Sequence, residues 1–385
     1  MNILIVHNAY QSTQKGGEDI VVQQEVAALK SYLGHEHVYQ YIVSNDKIFL
    51  LSLLLNIWGS RHHAKAIAAL VKKHNISLVH VHNFFPLLTP SVFKAAHKAG
   101  AKVIHTLHNF RWWCLSGILF RANAACEKCL TKKWAWPGVR YACYRGSRLQ
   151  SMMASLAFAW YRFKKNVRYI DAFFALTLFQ KQKLQNLIPA EKIFVKHNFV
   201  SIASHGVLKD KENYLFVGRC ETAKGFDLLM HVWQQLPTNF CLEIIGNSEK
   251  DHRLKARFEK ENIRFLGILP RAKVLQKMAQ SKYLVHPSLA YETFGLTLIE
   301  SMAQGTPVIG LDIGTRNELI QHAQNGFLCH QSALLETIKM AQSYPKYQSL
   351  CEQAQQSAQA FEKKKVLDEQ IALYDKVLGA AWAQH

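Results

Sequence analysis

Two glutamates, Glu292 and Glu300, bracket the segment Tyr291-Glu292-Thr293-Phe294-Gly295-Leu296-Thr297-Leu298-Ile299-Glu300, in which an irregular turn leads through a glycine into an apolar helix. With the helix starting near Gly295, Glu300 lies about 7.5 Å along the axis, whereas Glu292 stays in the turn. The two carboxylates therefore cannot share one proton. Their separation suits a ligand lying across a helix N-terminus, with phosphates on the N–H groups of Gly295 and Leu296, ribose hydroxyls at Glu300 and a sugar near Glu292. Leu296, Ile299, Met302 and Ala303 follow helical spacing and should pack inward, with Glu300 pointing elsewhere. Spacing alone is met as well by a helix-start Glu and an exposed helix Glu.

Two further segments carry residues suited to phosphate. Gly218-Arg219-Cys220-Glu221-Thr222-Ala223-Lys224-Gly225 follows an apolar run and precedes a helical pattern. Arg219 and Lys224 there could neutralise the charge that grows on a leaving diphosphate, so that catalysis would need no metal. Gly16-Gly17-Glu18-Asp19 follows the first apolar run and opens a helix, where backbone can approach an anion without a Cβ in the way. Taken singly, the first is two solvated loop charges and the second a turn.

Four cysteines, Cys114, Cys126, Cys129 and Cys143, are spaced C-x11-C-x2-C-x13-C. Four thiolates around one CxxC can hold zinc tetrahedrally, and such a site would be structural because no position stays open. Four reduced thiols in a loop is the plainer reading.

The elements that must position these residues alternate strand and helix. Strands are expected near Ile3 to His7, Val38 to Val43, Ser77 to His82, Lys102 to Leu107, Ala172 to Leu176 and Ile193 to Lys196. Helices lie between them, among them Glu18 to Leu33 and Pro90 to Ala99, the latter ending at Gly100. The pattern restarts with strands at Tyr214 to Gly218, Phe240 to Ile245, Ile263 to Leu266, Tyr283 to His286, Pro307 to Gly310 and Gly326 to Cys329, and a helix over Phe226 to Gln235. This is the signature of two parallel sheets covered by helices, each binding ligands at the carboxyl ends of its strands. At 385 residues two domains are expected. They are residues 1–200, with a cysteine-containing basic insertion at about 111–168, and 201–365. A last helix is expected over 366–385.

The N-terminal run Met1 to His7 reads as a buried strand and not a signal peptide, and the longest apolar run, Ile48 to Trp58, is shorter than the roughly 18 residues of a spanning helix. A cytosolic protein whose eight cysteines form no disulfide framework is expected. The net charge of +20 points to an anionic partner. No acidic residue occurs from Lys128 through Ile170, where Lys and Arg flank the apolar, Trp-bearing run Met152 to Tyr161. That combination suits a helix on an anionic membrane, or equally a buried helix with solvated charged ends.

Together the segments resemble the retaining GT-B glycosyltransferases of family 4, in particular their Glu-x7-Glu motif. Val217-Gly218-Arg219 with Lys224-Gly225 is similar to the family's phosphate-binding arginine and lysine, and Gly16-Gly17 to its first glycine-rich loop. Thr106-Leu107-His108-Asn109 resembles the segment whose histidine lies beside the transferred sugar. Gly314-Thr315-Arg316-Asn317-Glu318-Leu319-Ile320 and Asn325-Gly326-Phe327-Leu328 also follow the pattern. The resemblance implies two Rossmann-like α/β domains facing a central cleft, with the last helix crossing back to the first domain. It implies a nucleotide-sugar donor at Gly16, Gly17, Gly218, Arg219, Lys224, Glu292, Phe294, Gly295, Leu296 and Glu300, and catalysis by Glu292, His108, Arg219 and Lys224. The expected activity is transfer of a hexose-type sugar, with retention and without an essential metal cofactor, to a glycan or lipid-linked acceptor. Bacterial capsule, O-antigen or lipopolysaccharide synthesis is the expected setting, at the inner face of the cytoplasmic membrane. A nucleotide-sugar epimerase on the same fold and a non-catalytic sugar-nucleotide-binding protein are the alternatives. Nucleic acid is not an expected partner, because no recognised binding module accompanies the charge.

Overall fold

The structure is a computed structural model that describes residues 1–10, 17–47, 56–203, 212–246 and 251–379. Gly16 lies outside the described residues, as do residues 48–55. Two compact units divide the chain: Met1–Ile118, Glu127–Asn198 and Val366–His385 form one, and Leu119–Cys126 with Phe199–Lys365 the other.

The first unit is built on a parallel sheet. Its strands are β1 (Ile3–Ala9), β2 (Val38–Ser44), β3 (Leu78–Asn83) and β4 (Lys102–Thr106) and, after a short hairpin of β5 (Phe120–Arg121) and β6 (Ala124–Ala125) that groups with the second unit, β7 (Ala172–Ala175) and β8 (Ile193–Val195). The spatial order is β2-β1-β3-β4-β7-β8, with Ile3 paired to Val38 on one side and to Leu78 on the other. Helices α1 (Gly17–Leu33), α2 (Arg61–Lys73), α3 (Ser91–Lys98), α4 (Trp136–Arg140), α5 (Arg148–Phe163) and α6 (Leu178–Leu184) lie between the strands in sequence. Every residue of β3 is buried, as a strand covered on both faces requires, whereas β2 at the edge alternates half-buried and exposed positions after the buried Val38. Side-chain caps start the helices: Ser60, Ser147 and Thr177 accept from the backbone N–H of His63, Gln150 and Gln180.

The second unit repeats the plan with β9 (Tyr214–Val217), β10 (Leu242–Ile245), β11 (Ile263–Gly267), β12 (Tyr283–His286), β13 (Val308–Leu311) and β14 (Gly326–Cys329), ordered β11-β10-β9-β12-β13-β14 and parallel throughout. Its helices are α7 (Phe226–Trp233), α8 (Asp251–Phe258), α9 (Arg271–Gln280), α10 (Leu296–Ala303), α11 (Arg316–Leu319), α12 (Leu334–Gln342) and α13 (Tyr347–Ala358). Phe226, Leu229 and Met230 bury one face of α7 in the core, each contributing about 1.5–3 kcal/mol by leaving water. Helix α14 (Lys363–Leu378) joins the first unit from Val366 onward.

Both sheets reverse strand order beside their first strand, between β1 and β3 in one and between β9 and β12 in the other. At such a switch point the connections leave in opposite directions and open a crevice at the strands' carboxyl ends, where ligands bind. The residues singled out for donor binding follow β1, β9 or β12, and His108 follows the neighbouring β4.

Candidate active site

In the second unit, Lys224 and Glu292 form a single group: Nζ lies 2.7 Å from Oε1. Backbone contacts hold the two loops together. Ala223 O accepts from the N–H of Leu289 and of Ala290 at 3.0 and 3.1 Å, and from Ser288 Oγ at 3.1 Å. Gly225 makes this approach possible, because its φ is +72° and a Cβ there would fall 1.8 Å from Pro287 O. Thr315 Oγ1 donates to Glu292 O, fixing the turn from the other side.

Two residues with no assigned role complete the cluster. His286, at the end of β12, places Nε2 3.6 Å from Glu292 Oε1, and burial drops its imidazole to about 3 despite that carboxylate. Arg316 is fully buried, donating Nε to Leu311 O at 2.8 Å and NH2 to Ser288 O at 2.7 Å, and burial brings its guanidinium down to about 10. Burial alone would raise the Glu292 carboxyl, but Lys224, His286 and Arg316 outweigh it and hold it well below the usual carboxylate range. Glu292 is thus a fixed negative charge at the mouth of a helix. Arg316 stands in a motif legible in the sequence; His286 carried no signal beyond ending a strand.

Gly295 caps α10 with φ +82°, so the helix begins at Leu296 with its first N–H groups available to an anion. Glu300 differs from expectation. It is buried, at 5% exposure, along with Leu298, Ile299 and Met302, while Leu296 is only half-buried. Arg271, at the start of α9, forms an ion pair with it, and burial raises its carboxyl against that pull. Helical spacing cannot reveal a cation supplied by another helix. Arg219 stands at the surface, 63% exposed, and pairs with Glu221 at 3.0 Å. Phe294 turns into the core against Phe361, with ring centroids 5.7 Å apart.

In the first unit, His108 follows β4 and lies against His82 of β3, Nε2 to Nδ1 at 2.9 Å with the rings stacked. His82 Nε2 is 3.4 Å from Glu25 Oε1 of α1. A carboxylate there favours the proton on Nε2, which leaves Nδ1 to accept from His108 Nε2–H and makes His108 Nδ1 an acceptor. Burial, followed by the neighbouring histidines, holds His108 well below its ordinary value, so the ring is neutral. Glu25 is itself enclosed. Lys196 Nζ reaches Oε2 at 2.5 Å and Gln370 Nε2 reaches Oε1 at 2.8 Å, while Tyr374 OH contacts His80 Nδ1 at 2.7 Å. Burial would raise the Glu25 carboxyl, but Lys196 and the histidines hold it well below the usual range.

The remaining first-unit group lies at the start of α1. Asp19 Oδ1 is 2.8 Å from His7 Nε2. Tyr10 OH donates to Glu18 Oε2 at 3.3 Å, and burial above all raises the Glu18 carboxyl to about 7 against His7 and Arg111. Gly17 is the first residue of α1, with nothing within 4 Å of where its Cβ would sit.

Among the described residues, one set of three His, Cys, Asp or Glu brings its ligand atoms within 4.8 Å of one another: Glu25, His80 and His82. Lys196, Gln370, Tyr374 and, on His80 Nε2, Thr106 already occupy its donors and acceptors, so it fits a buried charge network better than a metal. No cysteine belongs to that set. Cys114, Cys129 and Cys143 fall in the first unit and Cys126 in the second.

Residues 25–204 match Glycosyltransferase Family 4, and residues 199–360 match Glycosyl transferases group 1. An uncharacterized glycosyltransferase of Haemophilus influenzae is 29% identical over 191 residues, 45% of this chain and 54% of that protein, so the chain spans about half of that relative. An uncharacterized protein in the cps region of Klebsiella pneumoniae is 25% identical over 291 residues, 71% of each. Among solved structures, sucrose-phosphate synthase from Thermosynechococcus elongatus has a TM-score of 0.71 at 17% identity, covering 99% of this chain and 100% of its own. The Anabaena protein HepE, solved in complex with UDP, has 0.64 at 20%, covering 97% and 99%. At these identities the structures bear on the fold alone. Two parallel-sheet Rossmann-like domains and two consecutive domain matches from residue 25 to residue 360 place the chain among the family 4 and group 1 glycosyltransferases of the GT-B fold.

Proposed function

We propose that the protein transfers a hexose-type sugar from a nucleotide-sugar donor, with retention of configuration, to a glycan or lipid-linked acceptor of a bacterial surface polysaccharide. The observation that carries this reading is the Lys224–Glu292 pair beside the open N-terminus of α10, backed by His286 and Arg316. A diphosphate arriving at the N–H groups of Gly295 and Leu296 meets Lys224, and Arg219 at the surface is within the same loop. These cations supply the charge neutralisation that a departing diphosphate needs, so the chemistry is read as metal-independent. Glu292, kept ionised, accepts hydrogen bonds from donor-sugar hydroxyls.

The relatives agree with the setting. One lies in a cps region, a structural neighbour is a lipopolysaccharide outer core galactosyltransferase, and another, the Anabaena protein HepE, was solved with UDP and with UDP-glucose. A thermal-shift screen over UDP-, GDP-, ADP- and CMP-sugars tests the reading, because preferential donor binding raises the melting temperature. No shift with any donor, and no donor consumption, would end it. Structural zinc at Cys114, Cys126, Cys129 and Cys143 is a separate proposal resting on their spacing. Metal analysis of protein purified without added zinc decides it, absence of bound metal being the negative result.

A further inference from the structure

Helix α5 carries large apolar side chains on its exposed face as well as its buried one. Ala154, Phe158 and Tyr161 face the interior, as its packing requires. Of its exposed positions, Leu149, Met152, Leu156, Trp160 and Phe163 recur every three or four residues and so form one apolar stripe, the polar Arg148 and Gln150 being exposed only in the first turn. Leu149 and Phe163, at its ends, are 67% and 73% exposed. Trp58, 46% exposed, widens the stripe by packing edge-on against Trp160 at 6.3 Å, and Trp160 Nε1 donates to Trp58 O.

Charge frames this stripe with one sign. Arg145 and Arg148 precede it, Lys164, Lys165 and Arg168 follow it, and Lys164 Nζ sits 4.3 Å over the Trp160 ring. No acidic residue interrupts the segment from Lys128 to Ile170. A 16-residue helix is about 24 Å long, and no helix among the described residues is long and apolar enough to cross a membrane. An apolar stripe with an indole, bordered by cations and too short to span, is what an in-plane interfacial helix presents. A second copy of the chain could cover the same stripe, but a two-fold contact would set these cations against their own image with no carboxylate of the segment to meet them.

We propose that α5 docks the first unit on an anionic phospholipid surface, with Leu149, Leu156, Trp160 and Phe163 at the acyl boundary and Arg148, Lys164 and Lys165 on the headgroups. The proposal is independent of the transferase reading, because its test reads binding and not turnover. The full chain is sedimented with phosphatidylcholine vesicles with and without about 30% phosphatidylglycerol, across a salt series. Expected are binding to the anionic vesicles alone at low salt, release at high salt and a blue shift of tryptophan fluorescence. The double variant Leu149→Ser/Phe163→Ser alters two exposed side chains and should keep the wild-type melting temperature while losing binding about tenfold or more. Lys164→Glu/Lys165→Glu should remove the preference for anionic lipid. Failure of the wild type to bind anionic vesicles at low salt would overturn the proposal. So would unchanged binding by the serine variant, or a dimer that the serine variant dissolves without any vesicle binding.

Discussion

Lys224 Nζ and Glu292 Oε1 stand 2.7 Å apart although 68 residues separate them in the chain. The pair unites the loop after β9 with the loop after β12, the two strands flanking the switch point of the second sheet. A cation and an anion are thereby placed beside one helix N-terminus.

Glu292→Gln keeps the shape and removes the charge. The variant should fold and still bind nucleotide, while turnover in a donor-consumption assay falls about 100-fold, in the range of losing one preorganised electrostatic contact. Near-normal turnover would remove Glu292 from the catalytic set.

Gly225→Ala places a methyl group on Pro287 O in a backbone with φ +72°. The two loops must then separate, at about 1–3 kcal/mol. Expected are a lower melting temperature and a weaker nucleotide-induced shift, read in one thermal-shift series; an unchanged shift would show that loop contact does not set donor affinity.

His82 acts on His108 by holding its tautomer, so its replacements should divide by hydrogen bonding and not by size. His82→Phe retains a flat ring but accepts nothing, and should lower kcat about tenfold or more with little change in nucleotide affinity. His82→Gln, whose carbonyl can still accept from His108, should recover part of the loss. Equal activity of the two variants would make His82 a packing residue only.

Glu18 predicts a pH dependence. Its folded-state pKa of about 7 lies above the unfolded carboxylate value, so the fold favours the protonated form. Its contribution to stability is full below about pH 4.3 and is lost as pH rises through 7. Glu18→Gln should therefore gain stability relative to wild type between about pH 4.5 and 7, measured by denaturant melts at both ends. A constant difference would mean that burial does not perturb this carboxyl.

The strands of the two parallel sheets, the alternation with helices and the segments that carry Glu292, Lys224 and His108 are all legible in the sequence, whereas the short β5–β6 hairpin is not. Buried parallel strands must be continuous apolar runs, and glycines must stand where a loop turns through positive φ or backbones touch. Local rules of this kind act over a few residues, so a chain read in order exposes them. What they could not assign is who stands beside whom. Arg271 on Glu300 and Lys196 and Gln370 on Glu25 are brought from other elements by sheet order and helix packing. Burial then decides charge: the same residue type is held ionised at Glu292, between cations, and raised to about 7 at Glu18. The sequence by itself determined the fold and the likeness of its motifs. Only the tertiary structure decided which carboxylates are paired, because pairing and desolvation depend on distances through space that spacing along the chain does not encode.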